Sequence, residues 1–339
     1  NNDLRFIILI SLVFATFFLS LIFYKKNLNT FNEIIFFKKR KKSIENYKYL
    51  NVVFLVFLVF ITFEFLSMSY SLNEIDFWHE GEHLSPAKNY LLNGKIWSGA
   101  YIAHGAFYDL FQPIIAWKIF GNETIGSSRL FIMILIFFTK LLLLILTFKI
   151  AKFVKSDETT KIIYFSLIAI SVLQLTEYTW GASRPYLSYR ELPSLVFLIF
   201  SMEILLKENK NYYAFLIGLI SAISIFFILD RGFYTNVLIL LLLAYFLLRK
   251  EFQIVTLIFL GLIFSWSIFY IFVGSKEFSF FLENTYYYVT TGKLLDSFVY
   301  PAPFISGKFF TTKGILIIII SGLLIIYGLL VKSEKKDNS

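Results

Sequence analysis

A chain of 339 residues that is 58% hydrophobic, 20% aromatic and only 16% charged, with a mean hydropathy of +0.70, is too apolar for a soluble globular domain of that length. The 32 Lys/Arg against 23 Asp/Glu leave a net charge of +9, but the cations crowd between apolar runs, as membrane orientation and anionic headgroups require, so membrane lipids are expected partners and nucleic acid is not. With no cysteine at all, disulfides, thiolate nucleophiles and cysteine-type zinc sites are excluded.

Taken in chain order, apolar runs of spanning length fall at 5–24, 50–70, 130–150, 161–179, 192–206, 212–229, 233–248, 252–273 and 314–331, predicting an all-α polytopic membrane protein of nine spans. The first run lacks a small-residue cleavage site and is expected to be a retained anchor. Placing the basic segment 25–48 in the cytoplasm makes every later connection alternate. The inner segments 25–48, 149–161, 207–210, 249–250 and 332–336 then hold eight, four, two, two and three Lys/Arg, against 12 spread over much longer outer ones. Lys140, inside the third run, is expected to snorkel or to face other helices. The expected organisation is an anchor and basic loop (1–49), a membrane domain (50–331) and a cytoplasmic tail (332–339), with no separate soluble domain.

Two outer loops are long, 71–128 and 274–313. In the first, Ser85-Pro86 can open a helix ending at Asn93-Gly94, and 105–120 reads as an aromatic-rich amphipathic helix ending at Gly121. Both are expected to lie on the membrane surface.

The chemistry gathers just past the second run, where Asn73-Glu74-Ile75-Asp76-Phe77-Trp78-His79-Glu80-Gly81-Glu82-His83 supplies four carboxylates and two imidazoles. All three histidines of the protein, His79, His83 and His104, fall in this loop. Charged residues at other outer helix ends, Arg184, Arg190, Glu191, Asp230 and Arg231, are expected to face the same side. Carboxylates there can act as a general base or bind a divalent cation such as Mg or Mn, and arginines can hold phosphate oxygens. His79-Glu80-Gly81-Glu82-His83 also matches H-E-x-x-H, which places two zinc-binding imidazoles one helical turn apart, with His104 or Asp109 as a third ligand. Against zinc, Gly81 weakens the helix and Pro86 disfavours helical geometry at Ser85. In the second loop Tyr286-Tyr287-Tyr288 suits an interface belt or stacking on sugar rings.

An acidic motif soon after an early span, followed by a loop of two surface helices ("HEGEHLSPAKNYLLNGKIW", then "HGAFYDLFQPIIAWKIFGNETIGSSR"), resembles the GT-C superfamily of integral-membrane glycosyltransferases, which use polyprenyl-phosphate-linked sugars. The resemblance implies transfer of a sugar from such a donor to a glycan, lipid or protein acceptor on the periplasmic face of a bacterial inner membrane. It implies Asp76 as the leading catalytic residue, assisted by Glu80, Glu82 or His79. Arg184, Arg190 and Arg231 would face the donor phosphate, Glu74, His83, His104, Asp109, Asp230 and Tyr287 would line the substrate, and any metal would rest on Asp76, His79 and His83. The expected extra helix before the motif and the expectation of nine spans with no soluble domain among the residues after 331 depart from many relatives. A zinc metallopeptidase and a lipid or sugar transporter are the alternatives.

Overall fold

The structure is a computed structural model and describes residues 47–67, 77–100, 102, 104–153, 157–174, 189–206 and 211–299. Every regular element among them is helical: α1 (Lys48–Ser67), α2 (Phe77–Asn93), a π-helical turn (Phe107–Phe111), α3 (Gln112–Phe120), α4 (Ile125–Phe153), α5 (Glu158–Gln174), a 3-10 turn (Tyr189–Glu191), α6 (Leu192–Leu206), α7 (Asn211–Phe227), α8 (Leu229–Leu248) and α9 (Phe252–Val299). The chain forms two compact units, Asn1–Ile44 with Gly292–Ser339, and Glu45–Thr291. All side-chain geometry below belongs to the second.

Leu, Ile and Phe populate these segments on all sides. In hydrocarbon only a helix or a closed barrel satisfies every backbone N–H and C=O internally, so such runs become helices despite many β-branched and aromatic residues. Four helices, Lys48–Ser67, Ile125–Lys152, Leu229–Leu248 and Phe252–Tyr287, are long and apolar enough to cross a membrane. They leave large apolar side chains uncovered, Leu66 at 75%, Ile271 at 78% and Leu248 at 82% exposure, a surface suited to lipid rather than water. The chain is a membrane protein.

The nine-span expectation meets the structure unevenly. Runs 5–24 and 314–331 lie outside the described residues; the other seven form helices over their described residues, and the described lengths of α5, α6 and α7, 17, 15 and 17 residues, rise about 22–26 Å. The outer segment expected at 274–313 is helical as far as Val299, after a kink at Gly274 (φ 78, ψ 159). In the first loop, α2 opens at Phe77 rather than at Ser85-Pro86 and runs through both Gly81 and Pro86, so neither residue breaks it. The second helix begins as a π turn and closes at left-handed Gly121 (φ 71), as expected. α4 starts at Ile125, which puts Ser127, Ser128 and Arg129 in its first turns rather than in a loop.

α1 and α4 run antiparallel: Phe54 packs on Phe148 and Phe65 on Phe137, with centroids 4.5 and 5.0 Å apart. Between them Lys140 Nζ meets Glu64 Oε1 at 2.6 Å, so the buried cation faces a neighbouring helix and is neutralised there. Lys149 likewise pairs with Glu203 of α6. The Glu158 carboxylate accepts the Tyr49 and Leu50 N–H groups at 2.9 and 3.1 Å, capping the start of α1.

On the other side of the unit, α7, α8 and α9 share a neutral polar seam. Asn236 Nδ2 donates to the Ser221 and Gly232 carbonyls (3.1 and 2.8 Å), Ser221 Oγ donates to Asn236 Oδ1, Trp266 Nε1 donates to Ser221 Oγ (2.9 Å), and Ser265 Oγ accepts the Ala222 N–H (3.0 Å). Gly218 lets α9 approach so closely that a Cβ there would collide with the Ile258 carbonyl.

Candidate functional site

The connections in 94–129 fold back over one end of the bundle, where α4, α6 and α8 begin and α7 ends. Phe107 stacks on Phe227 at 4.3 Å, Tyr108 stacks on Tyr189 at 5.1 Å, and Leu229 N–H donates to the His104 carbonyl at 2.5 Å. Gly105 permits this approach: a Cβ on it would stand 2.7 Å from the Ile228 Cα. α3 is fixed on α4 by Gln112 Nε2, which donates to the Ser128 carbonyl (3.0 Å), and by Trp117 Nε1, which donates to the Thr124 carbonyl (3.0 Å). From α9, Glu277 accepts the Trp97 and Ser98 N–H groups at 2.7 and 3.1 Å.

At the centre lies Asp109, whose side chain is 1% exposed. Its Oδ2 accepts the His104 backbone N–H at 2.6 Å and the Gly105 N–H at 3.4 Å, and its Oδ1 faces His104 Nδ1 at 3.0 Å. His83 Nδ1 approaches the same oxygen at 3.4 Å, an ion-pair distance too long for a good hydrogen bond. Burial would raise the Asp109 carboxyl, but the hydrogen bond from His104 and the nearby charge of His104 and His83 outweigh it and hold the group well below the usual carboxylate range. The centre is therefore an anion under two imidazoles.

Aromatic rings wall it. His83 meets Tyr108 edge-on at 4.7 Å, His104 lies 5.4 Å from the same ring, and the Arg190 guanidinium stands 5.0 Å above it. Burial, with the charges of Tyr108 and Asp109, pushes the Tyr189 hydroxyl well above its ordinary value, so it stays protonated.

Two further ion pairs flank the centre. Glu80, on α2, is bound by Arg129 Nε at 2.6 Å, both side chains buried. Arg231 Nε donates to Glu191 at 2.6 Å, and its Nη1 lies 3.7 Å from Asp230.

Of the residues marked in the sequence, His83, His104, Asp109 and Arg190 are thus brought together, with Glu80, Asp230 and Arg231 beside them, each in an ion pair. Glu82 is half-buried on α2, and Tyr287 is exposed on α9 beside Tyr286. Glu74, Asp76 and Arg184 lie outside the described residues, as does the side chain of His79. Sequence reading passed over Tyr108, Arg129 and Glu277. Arg129 had a signal, being a cation beside an apolar run; Glu277 had none, because its partners, the Trp97 and Ser98 N–H groups and the Ser98 hydroxyl, lie some 180 positions away.

A divalent metal was expected on Asp76, His79 and His83, or zinc on the H-E-x-x-H pair. α2 does keep His79 and His83 one turn apart, but the Glu80 carboxylate is committed to Arg129. Among the described residues no group of three His, Asp or Glu side chains is arranged to hold a metal.

Comparison with known proteins finds no family model, no curated protein and no solved structure that matches this chain.

Proposed function

We propose that the protein is a membrane glycosyltransferase that moves a sugar from a polyprenyl-phosphate donor to a glycan, lipid or protein acceptor at the non-cytoplasmic face of a bacterial inner membrane, through a topology of nine spans. The observation that carries the reading is the convergence, at one end of a lipid-facing bundle, of a buried carboxylate, two imidazoles, a tyrosine wall and the Arg190 guanidinium. Such a transfer needs an acceptor for the hydroxyl proton, a cation near the phosphate that leaves with negative charge, and flat apolar faces for sugar or isoprenoid. In this reading Arg190, above Tyr108, faces the donor phosphate. Asp76, immediately before α2, keeps the catalytic role that the resemblance gives it.

The test is transfer by purified protein from a panel of polyprenyl-phosphate sugars, with metal analysis on the same sample. Turnover by the wild type, reduced about 10²-fold or more in Asp76→Asn, is the expected result. Stoichiometric zinc without lipid-sugar turnover would favour the peptidase instead and sink this reading.

A further inference from the structure

We infer that His104 is the group that takes the proton from the acceptor hydroxyl, with Asp109 as its positioning residue. The inference rests on the transferase reading for its substrate class, a hydroxyl-bearing acceptor, but its structural content stands on the geometry alone.

Asp109 Oδ2 accepts the His104 and Gly105 backbone N–H groups at 2.6 and 3.4 Å, and a carboxylate only accepts hydrogen bonds. His104 Nδ1, 3.0 Å from Oδ1, must then carry the proton of that contact. In the neutral ring this leaves the lone pair on Nε2. Nε2 has no hydrogen-bond partner among the described residues, and the side chain is 25% exposed, so the basic nitrogen is turned away from the buried contact. The backbone that carries the ring is fixed as well: the His104 N–H is bound by Oδ2 at 2.6 Å, and its carbonyl is bound by Leu229 N–H at 2.5 Å. His83 is the weaker candidate, with a contact of 3.4 Å and a less exposed side chain (16%). An imidazole held by a buried carboxylate is an effective proton acceptor because the carboxylate both fixes the tautomer and stabilises the imidazolium that forms.

The step balances without any further reactant. The acceptor O–H gives its proton to Nε2, the acceptor oxygen forms its bond to the anomeric carbon, and the bond from that carbon to the phosphate oxygen breaks with its electron pair on the lipid phosphate. His104 then releases the proton to water. The resemblance gives Asp76 either removal of the proton or positioning of the acceptor hydroxyl; with the proton taken by His104, positioning of that hydroxyl is the role left to Asp76.

Because the chain holds only three histidines, full-length protein labelled with ¹⁵N-histidine in detergent gives three imidazole spin systems, assigned with His83→Gln and His104→Gln. The expected result is the Nδ1–H tautomer at His104 in the wild type and its loss in Asp109→Asn. An Nε2–H tautomer at His104 in the wild type overturns the proposal with no turnover needed. With the polyprenyl-phosphate sugar panel, His104→Ala is expected to lose about 10²- to 10⁴-fold in kcat and to regain part of it with added imidazole, whereas Asp76→Asn gains nothing from imidazole. Asp109→Asn should lower kcat about 10³-fold or more with KM little changed, and Lys88→Ala, at an exposed pair with Glu123, serves as the unchanged control. Wild-type rates in His104→Ala, or stoichiometric zinc lost in that variant, overturn the assignment. A wild type with the predicted tautomer but no transfer from any donor overturns the transferase reading and not the placement of the base.

Discussion

The seam between α7, α8 and α9 and the centre around Asp109 are both polar, both largely buried and both within one compact unit, yet they are built on opposite terms. In the seam, Asn236, Ser221, Ser265 and Trp266 are neutral and answer one another or backbone groups, so burial leaves little polar capacity unspent and the network fixes how three helices fit. In the Asp109 centre a formal charge is buried under two imidazoles, of which His104 is the more exposed, and the walls are rings rather than helix backbone. Charge is costly to bury, so a fold that needed only packing would be served better by the seam's chemistry. In the proposed reading the centre carries the function and the seam the architecture.

Three substitutions probe that contrast. Arg129→Ala should have the largest effect on stability, about 3–5 kcal/mol, because it removes the arginine from the buried Glu80 carboxylate at the edge of the centre; denaturant unfolding in mixed micelles, followed by helicity, measures it. Restoring stability with the double change Arg129→Leu, Glu80→Leu would show the pair to be structural, and persistence of transfer in that variant would separate Glu80 from the chemistry.

Asn236→Ala should cost about 1–3 kcal/mol by stranding the Ser221 and Gly232 partners. The fraction that remains folded should transfer sugar at the wild-type rate, the reverse of what is expected for His104→Ala. A seam variant that folded fully but lost turnover would erase the distinction between the two regions.

The smallest effect is the acid dependence. The Asp109 carboxyl is lower in the folded state than its unfolded value of about 3.9, so the unfolded chain binds the extra proton. Its contribution is complete above the unfolded value and is lost as pH falls through the folded one. Between about pH 5 and pH 2 the wild type should therefore lose more stability than Asp109→Asn does, as read from helicity during acid titration. Equal slopes would show that the imidazole contacts do not hold the carboxylate as an anion.

Much of this was legible beforehand. Over their described residues seven apolar runs form helices, since in hydrocarbon a chain must close its hydrogen bonds within the segment and composition alone enforces that. Gly121 ended its helix as expected because a left-handed residue there costs glycine little. The start of α2 was misplaced: turn and cap signals at Ser85-Pro86 are local, and a helix already running tolerates one missing N–H.

The sequence by itself determined a membrane protein made of helices, and it showed that the histidines and an acidic run share one segment. Only tertiary structure decided which carboxylate is the hub. Asp109 looked like one acidic residue on an aromatic helix until α6 and α8 brought Tyr189, Arg190 and Leu229 back from some 80 to 120 positions away. Composition and periodicity act within a segment, whereas the protonation and aim of an imidazole depend on what the rest of the chain places against it.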